Sequence, residues 1–568
     1  MVKFHISLLG AAAVLAAGLT SCSNSGEYDI RVGRSAFLQP EIQVSKAPPG
    51  LADVTVIQAQ GHEEASDRFF EMDASRRLGR GRLAALFGAA ALPKDISIVS
   101  VGLDAAVDLK TQALQEKQPE AYQFLEAYAS GVNKFIDEMQ TTQPAMLQAY
   151  REITHNPNYV PDRWEPADSV AIAQSIAFYL SSSLQEKLSV GLLGLGALQA
   201  LNGNQPVTAD QLLQLPLLAS ALIDTRPLEN IFILNQAAAP MPPVPTHPLA
   251  ERLSALRTAA ATVAVPPCRE VGYPFPECHR PPGLGSNNFV VSRSYAGGDT
   301  AFLENDPHLP LTLPMTFYEI SLDSVPAGGT LRVRGLNLPG LPGVLIGHNE
   351  HIAWGMTNLT ADVDDIYLDT LDPTGTQAVA MVGGRRQVTP LTVRQIPFQI
   401  RNAQGGLDAK TVTVRSVPQH GPIFSDFVDE LKAPLQALGQ GLGAPVVASY
   451  RWTGQQATLE IAAEIALNRA KNFAEFKQAL QNFGAGAQNI VYADTEGNIG
   501  YYAHGNFPVR KYVGTGNGQW APYLPTPGTG AFEWGSEFQT EIPETYNPPA
   551  GRVVTANNDP FGDTANQN

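Results

Sequence analysis

The chain has 568 residues, of which 44% are apolar and 16% charged, enough to build a large core and too little charge to keep it extended. Its 38 basic side chains stand against 54 acidic ones, a net charge of −16, and this excludes the basic face that a nucleic-acid partner would need. After the first twenty residues no run of eighteen apolar residues occurs, so no internal membrane-spanning helix is expected.

At the N-terminus, Lys3 precedes the apolar stretch Ile6 to Leu19, too short to span a bilayer and suited to an export signal. It runs into Leu19-Thr20-Ser21-Cys22, which resembles the bacterial lipobox. The reading is a signal peptide over 1–21 and a lipid-bearing Cys22, with an ordinary secretory signal as the alternative. Ser23 rather than Asp follows the cysteine, which by the usual sorting pattern points to the periplasmic face of the outer membrane; a soluble periplasmic protein is the alternative. Cys268 and Cys278 then form an even pair in an oxidising compartment, so a disulfide is expected, with two free thiols as the other possibility. Zinc is rejected, because His279 adjoins Cys278 instead of lying one turn away.

From 22 to 236 the pattern is mostly helical. Tyr122, Leu125, Tyr128, Val132, Phe135 and Met139 recur every three or four residues, and a further helix is expected from Ala167 to Lys187, after Trp164-Glu165-Pro166. Between 237 and 285 lie eleven of the chain's 44 prolines, and a segment so poor in backbone donors reads as a spacer. From 286 to 568 the pattern turns to strands, as in Phe289-Val290-Val291, Leu331 to Val333 and Thr411 to Val414, punctuated by glycine-rich turns. A helical front, a spacer and a strand-rich back make an α+β protein.

No Gly-x-Ser-x-Gly elbow, Walker loop or His-Glu-x-x-His helix is present; Gly61-His62-Glu63-Glu64 lacks the second histidine. The informative place is Gly283-Leu284-Gly285-Ser286-Asn287-Asn288, where a serine stands between the spacer and the first strand. Cutting Gly285–Ser286 would give Ser286 both a hydroxyl nucleophile and an α-amine, whose reference pKa of ~7.7–8.0 suits a general base. On these residues alone a simple turn serine is the stronger reading.

The wider sequence changes that balance. Gly285-Ser286-Asn287-Asn288 is followed by Leu303-Glu304-Asn305-Asp306-Pro307-His308-Leu309, Gly347-His348-Asn349, Ala353-Trp354-Gly355, Asp362-Val363-Asp364-Asp365, His420-Gly421-Pro422, Tyr492-Ala493-Asp494 and Ala556-Asn557-Asn558. Ahead of it stand Ala65 to Arg68, Arg76-Arg77, Tyr128 to Asn133 and Trp164 to Asp168. This ordered series, from about residue 50 to the end, resembles the penicillin acylase family of N-terminal-nucleophile hydrolases.

The resemblance implies a four-layer αββα fold, self-cleavage before Ser286, and two cleaved chains that remain together as a heterodimer. It implies Ser286 as nucleophile, the Asn557 side chain and the Asn358 N–H as oxyanion donors, and His308 beside the nucleophile. Two aligned donors of this kind are what acyl transfer needs. It also implies one structural Ca²⁺ held by the carboxylates of Glu186, Asp362 and Asp365 and the carbonyls of Asp364 and Pro522, an oxygen-rich set of suitable chemistry. The acyl pocket would be formed by Ile176, Leu180, Leu309, Ile346 and Met356, which are aliphatic and suit alkyl acyl-amides, acyl-homoserine lactones among them, at least as well as β-lactam side chains. The family's second chain continues beyond the point matched by Asn568, so a truncated product is expected. Two functions follow: an exported amidohydrolase, or an inactive, lipid-tethered remnant that binds without turnover.

Overall fold

A computed structural model describes residues 21–558, except 25–26, 37, 204, 209–211, 213–284, 310–312, 360, 383–384, 511–521 and 523. Cys268, Cys278, the signal segment 1–20 and the spacer up to residue 284 lie outside the described residues. Cys22 lies in the strand Ser21–Asn24, its backbone opposite Arg31.

The front half is built on α1 (Ala52–Gly79), α2 (Pro119–Thr142), α3 (Pro166–Ser181) and α4 (Leu184–Leu201). In α2, Pro119 supplies a preset φ in the first turn, and Phe124, Leu125, Tyr128, Val132, Phe135 and Met139 are buried along one stripe. That stripe meets α1 at a contact where no side chain fits. A Cβ on Gly131 would lie 1.9 Å from the Gln58 carbonyl oxygen, and one on Gly61 would lie 2.3 Å from that of Tyr128. The start of α3 is fixed by Asp168, which accepts from the Glu165 N–H at 2.9 Å while Arg76 of α1 donates to it at 2.8 Å. The Arg76 guanidinium also lies over the Trp164 ring, 4.9 Å from its centroid. The Arg76-Arg77 and Trp164-to-Asp168 motifs are thus one helix-to-helix joint.

The helix expected from Ala167 to Lys187 is broken at Ser182–Ser183. The Ser183 N–H donates to an Asp364 carboxylate oxygen at 2.8 Å, and both serine hydroxyls bond the same carboxylate. A distant acceptor outbids the local i−4 carbonyls there, and periodicity cannot register it.

The back half contributes β1 (Gly285–Val291), β2 (Phe302–His308), β3 (Ile352–Asn358), β4 (Asp364–Leu371), β5 (Val446–Trp452), helix α5 (Glu460–Arg469), β6 (Gln488–Asp494), β7 (Ile499–His504) and β8 (Arg552–Thr555). A ten-stranded sheet runs Ser21–Asn24, Asp29–Arg34, Pro40–Lys46, Tyr318–Asp323, Arg332–Asn337, Ile346–Asn349, β3, β6, β7, Glu544–Tyr546. It mixes the two halves: Pro40–Lys46 pairs in parallel with Tyr318–Asp323. In β6, Ile490 and Tyr492 join a core with α1, α2 and α3, whereas Val491 and Ala493 join a second core with Val290 of β1, Ile366 of β4 and Tyr450 of β5. The two faces of this sheet are therefore both covered, one by helices and one by further strands, as the period of two requires. Among the described residues no helix is long and apolar enough to cross a membrane.

Candidate active site

Ser286 is the second residue of β1, the middle strand of a three-stranded sheet in the order β8, β1, β2. Asn557 lies two residues beyond β8 in the left-handed region, with φ of 61°, a conformation that asparagine tolerates better than most side chains. The turn brings its Oδ1 to the Ser286 backbone nitrogen, which donates to it at 2.6 Å. Glycine before the serine leaves this contact undisturbed: a Cβ on Gly285 would stand 2.8 Å from that oxygen. The Asn557 Nδ2 donates to the Asn358 carbonyl at 2.7 Å, and the Asn358 side chain donates to the Leu180 carbonyl at 2.7 Å. One line of amides thus joins β1, the segment after β8, β3 and the end of α3.

Behind this line the strands are cross-braced. Thr555 of β8 donates to the Asn288 side chain at 2.7 Å, and the Thr357 hydroxyl of β3 lies 2.7 Å from that of Thr555. Asn305 of β2 accepts from the Met356 N–H and leaves no room for a side chain at Gly355, whose Cβ would come within 2.5 Å. Each of these atoms is buried or half-buried, where an unmet polar group costs ~1–3 kcal/mol.

Ser286 opens on a cavity of about 150 Å³. Ile176, Leu180, Leu309, Ile346 and Met356, singled out from the sequence, all line it together with Asn358. His308 does not. Ser286 is opposite Pro307 in the β1–β2 register and Pro307 lines the cavity, so alternation turns His308 to the other face. There its Nε2 pairs with Asp306 at 2.9 Å. The expected side-chain contact of His308 with the nucleophile is corrected by this register, while its backbone stands opposite Gly285, next to Ser286.

The aspartate cluster is corrected as well. Asp362, Asp364 and Asp365 are buried together, but two cationic side chains fill the space between their oxygens. Lys187 of α4 places Nζ 2.6 Å from Asp362, 3.1 Å from Asp365 and 3.3 Å from Asp364, and donates to the Asp364 carbonyl. Arg510 donates to Asp362 at 2.8 Å, to Asp365 at 2.9 Å and to the carbonyls of Asp362 and Asp364 at 3.1 Å each. Glu186 precedes Lys187 in α4, and Pro522 is a buried turn residue. Three carboxylates facing an ammonium and a guanidinium do not fit Ca²⁺, because a dication there would meet two positive charges at contact distance. Among the described residues no group of His, Cys, Asp and Glu side chains is arranged to hold a metal. Burial pushes the Asp362 carboxyl up to about 6 despite the two cations. Burial acts on Asp365 in the same sense, but Arg510 and Lys187 hold it below the usual carboxylate range.

Lys187 and Arg510 were not foreseen from the sequence. The one signal is a lysine inside the long apolar stretch of α4. His420 of the His-Gly-Pro motif is likewise structural. It lies buried between Asp369 at 2.6 Å and Glu533 at 2.9 Å, stacked on Tyr367 at 3.8 Å between ring centroids. Against the effect of burial, the two carboxylates raise its pKa to about 9.

A serine on a strand beginning, its nitrogen held by a neighbouring carboxamide and its side facing an apolar cavity, defines a candidate N-terminal-nucleophile site. The chain belongs to the penicillin amidase family, whose model matches residues 52–567. It is similar to acyl-homoserine lactone acylase QuiP of Pseudomonas aeruginosa, with 28% identity over 93% of this chain and 55% of that one. Similarity to penicillin G acylase of Escherichia coli is 27%, over 96% of this chain and 61% of the relative. A solved penicillin G acylase from Alcaligenes faecalis superposes with a TM-score of 0.40 and 26% identity, over 49% of this chain and 45% of the other. The chain spans between half and two thirds of the length of these curated relatives.

Proposed function

We propose that the protein is an amidohydrolase that cuts its own Gly285–Ser286 bond and then hydrolyses a secondary amide through an acyl-enzyme on Ser286. The observation that carries this reading is the position of Ser286 at the cavity with its nitrogen 2.6 Å from the Asn557 carboxamide. Cleavage turns that nitrogen into an α-amine, still within reach of Asn557. Ser286 Oγ then attacks the amide carbonyl, its proton passes to the α-amine, and the α-amine returns it to the departing amine. Water repeats the sequence to release the acid. The Asn557 side chain and the Asn358 N–H serve as donors to the oxyanion.

In this reading the two covered faces of the large sheet belong to a four-layer αββα arrangement, and 22–236 and 286–568 persist as two chains of one heterodimer. The apolar stretch Ile6 to Leu19 and the lipobox-like run ending at Cys22 support a location on the periplasmic face of the outer membrane. The aliphatic lining favours medium alkyl acyl-amides, with acyl-homoserine lactones ahead of phenylacetyl β-lactam side chains. No step of it calls on an ion at the Asp362, Asp364 and Asp365 cluster.

Intact-mass measurement of the purified protein tests the maturation step, with a second chain starting Ser-Asn-Asn as the expected result and Ser286→Ala remaining uncut. A panel of chromogenic amides tests the chemistry. A folded but uncut wild-type chain overturns the self-cleavage, and a cut chain that turns over no amide overturns the hydrolysis.

A further inference from the structure

The cavity wall contains two acidic side chains, Glu460 and Glu464, which lie one turn apart on α5 and share a face with Ile461. Glu460 is fully engaged: one oxygen accepts from the Ala485 N–H at 2.7 Å and the other pairs with Lys110 at 3.2 Å. Glu464 is not. Its side chain is 6% exposed, and its Oε1 is buried without a hydrogen-bond partner. Behind it Glu64 turns both oxygens to other groups, accepting from Tyr128, Gln60, Asn337 and the Gly340 N–H. The cavity lining also includes the apolar side chains of Leu341, Leu345 and Ile346.

An unmet carboxyl in an apolar wall is destabilising, and a ligand group that bonds to it removes that cost. Burial and the nearby Glu64 raise the Glu464 pKa to about 8, so at neutral pH it is a neutral acid that can donate as well as accept. A plain alkyl chain leaves Oε1 unmet. An ammonium would require Glu464 to ionise in the wall. A hydroxyl substituent answers whichever oxygen carries the proton.

Building on the amide-hydrolase reading, we propose that Glu464 is a specificity-determining residue that selects acyl chains carrying a hydroxyl group beyond the amide carbonyl. The hydroxyl bonds to Glu464 while the rest of the chain packs on the aliphatic lining, and the amide lies at Ser286.

The test compares matched amides, with plain, hydroxylated and amino-substituted alkyl chains of equal length, on the full-length protein and its Glu464→Leu and Glu464→Gln variants. Binding of the corresponding free acids is followed by calorimetry, which reads the cavity without any turnover. Wild type is expected to favour the hydroxylated chain about tenfold in kcat/KM and in Kd, equivalent to ~1.4 kcal/mol. Glu464→Leu should reverse that ratio, and Glu464→Gln, which keeps a donor and an acceptor, should retain most of it. A ratio that Glu464→Leu leaves unchanged, a wild-type preference for plain or amino-substituted chains, or no binding of any acid overturns the proposal. Acids that bind with the expected preference while no amide is hydrolysed would sink the hydrolase reading and leave Glu464 as the selector.

Discussion

The serine region and the aspartate cluster lie on strands of two different sheets, and they are held by opposite means. Around Ser286 neutral amides and hydroxyls pass hydrogen bonds from strand to strand, and the serine itself remains only half-buried. Around Asp362, Asp364 and Asp365 the three acids are buried and ion pairs hold them together, with two cations drawn from residues 187 and 510. The first arrangement leaves a reactive atom accessible beside organised dipoles. The second has no accessible atom and serves to fasten α4 of the front half to β4 of the back half. Proximity of acidic residues in sequence therefore says little about their use until their counter-charges are known.

The largest effect that would break this comparison is on stability. Lys187→Met removes the central cation and leaves three buried carboxylates to Arg510 alone, so a loss of ~3–5 kcal/mol is expected in denaturant unfolding. A variant as stable as wild type would show that the cluster is held by something other than the lysine.

Next comes the serine side. Asn557→Ala deletes a carboxamide that touches the Ser286 nitrogen, and for a group acting on the oxyanion kcat should fall by ~10²–10³. Thermal unfolding should move less, by the ~1–2 kcal/mol of holding alanine in the left-handed region. Equal losses of activity and stability would instead class it with the structural residues.

A smaller effect concerns pH. The folded pKa of His420 is raised from 6.5 to about 9 by Asp369 and Glu533, so the charged form is stabilised in the folded state. Its contribution is complete below pH ~6.5 and is lost as pH rises through 9. Melting temperature measured from pH 6 to 10 should decline over that window, and His420→Gln should flatten the decline. A wild-type profile without it would refute the charged buried histidine.

The smallest effect is the most diagnostic. Chelation should leave the melting temperature of the wild-type protein unchanged, because the aspartates already have their cations. A fall on chelation, restored by calcium, would reinstate the ion at this cluster.

Much of the fold was legible beforehand. The helical stripe of α2, the strand at Phe289-Val290-Val291 and the division into a helical front and a strand-rich back follow from local periodicity, which depends on neighbours within a turn or two. Ser286, Asn358, Asn557 and the five aliphatic cavity residues were also named in advance, since ordered motifs preserve the backbone positions they mark.

What the tertiary structure decided were matters of long-range charge and facing. The break at Ser182–Ser183 depends on Asp364, the aim of His308 on the pairing of Ser286 with Pro307, and the identity of the cations on Lys187 and Arg510. Glu464 is another case, an acid on an apolar helix face that becomes meaningful only where a cavity meets it. Composition, periodicity and motif order are properties of a chain read along its length and were sufficient for class and elements. Which charge neutralises which, and which face of a strand looks into a cavity, are set by contacts between residues up to hundreds of positions apart, and only the folded chain brings them together.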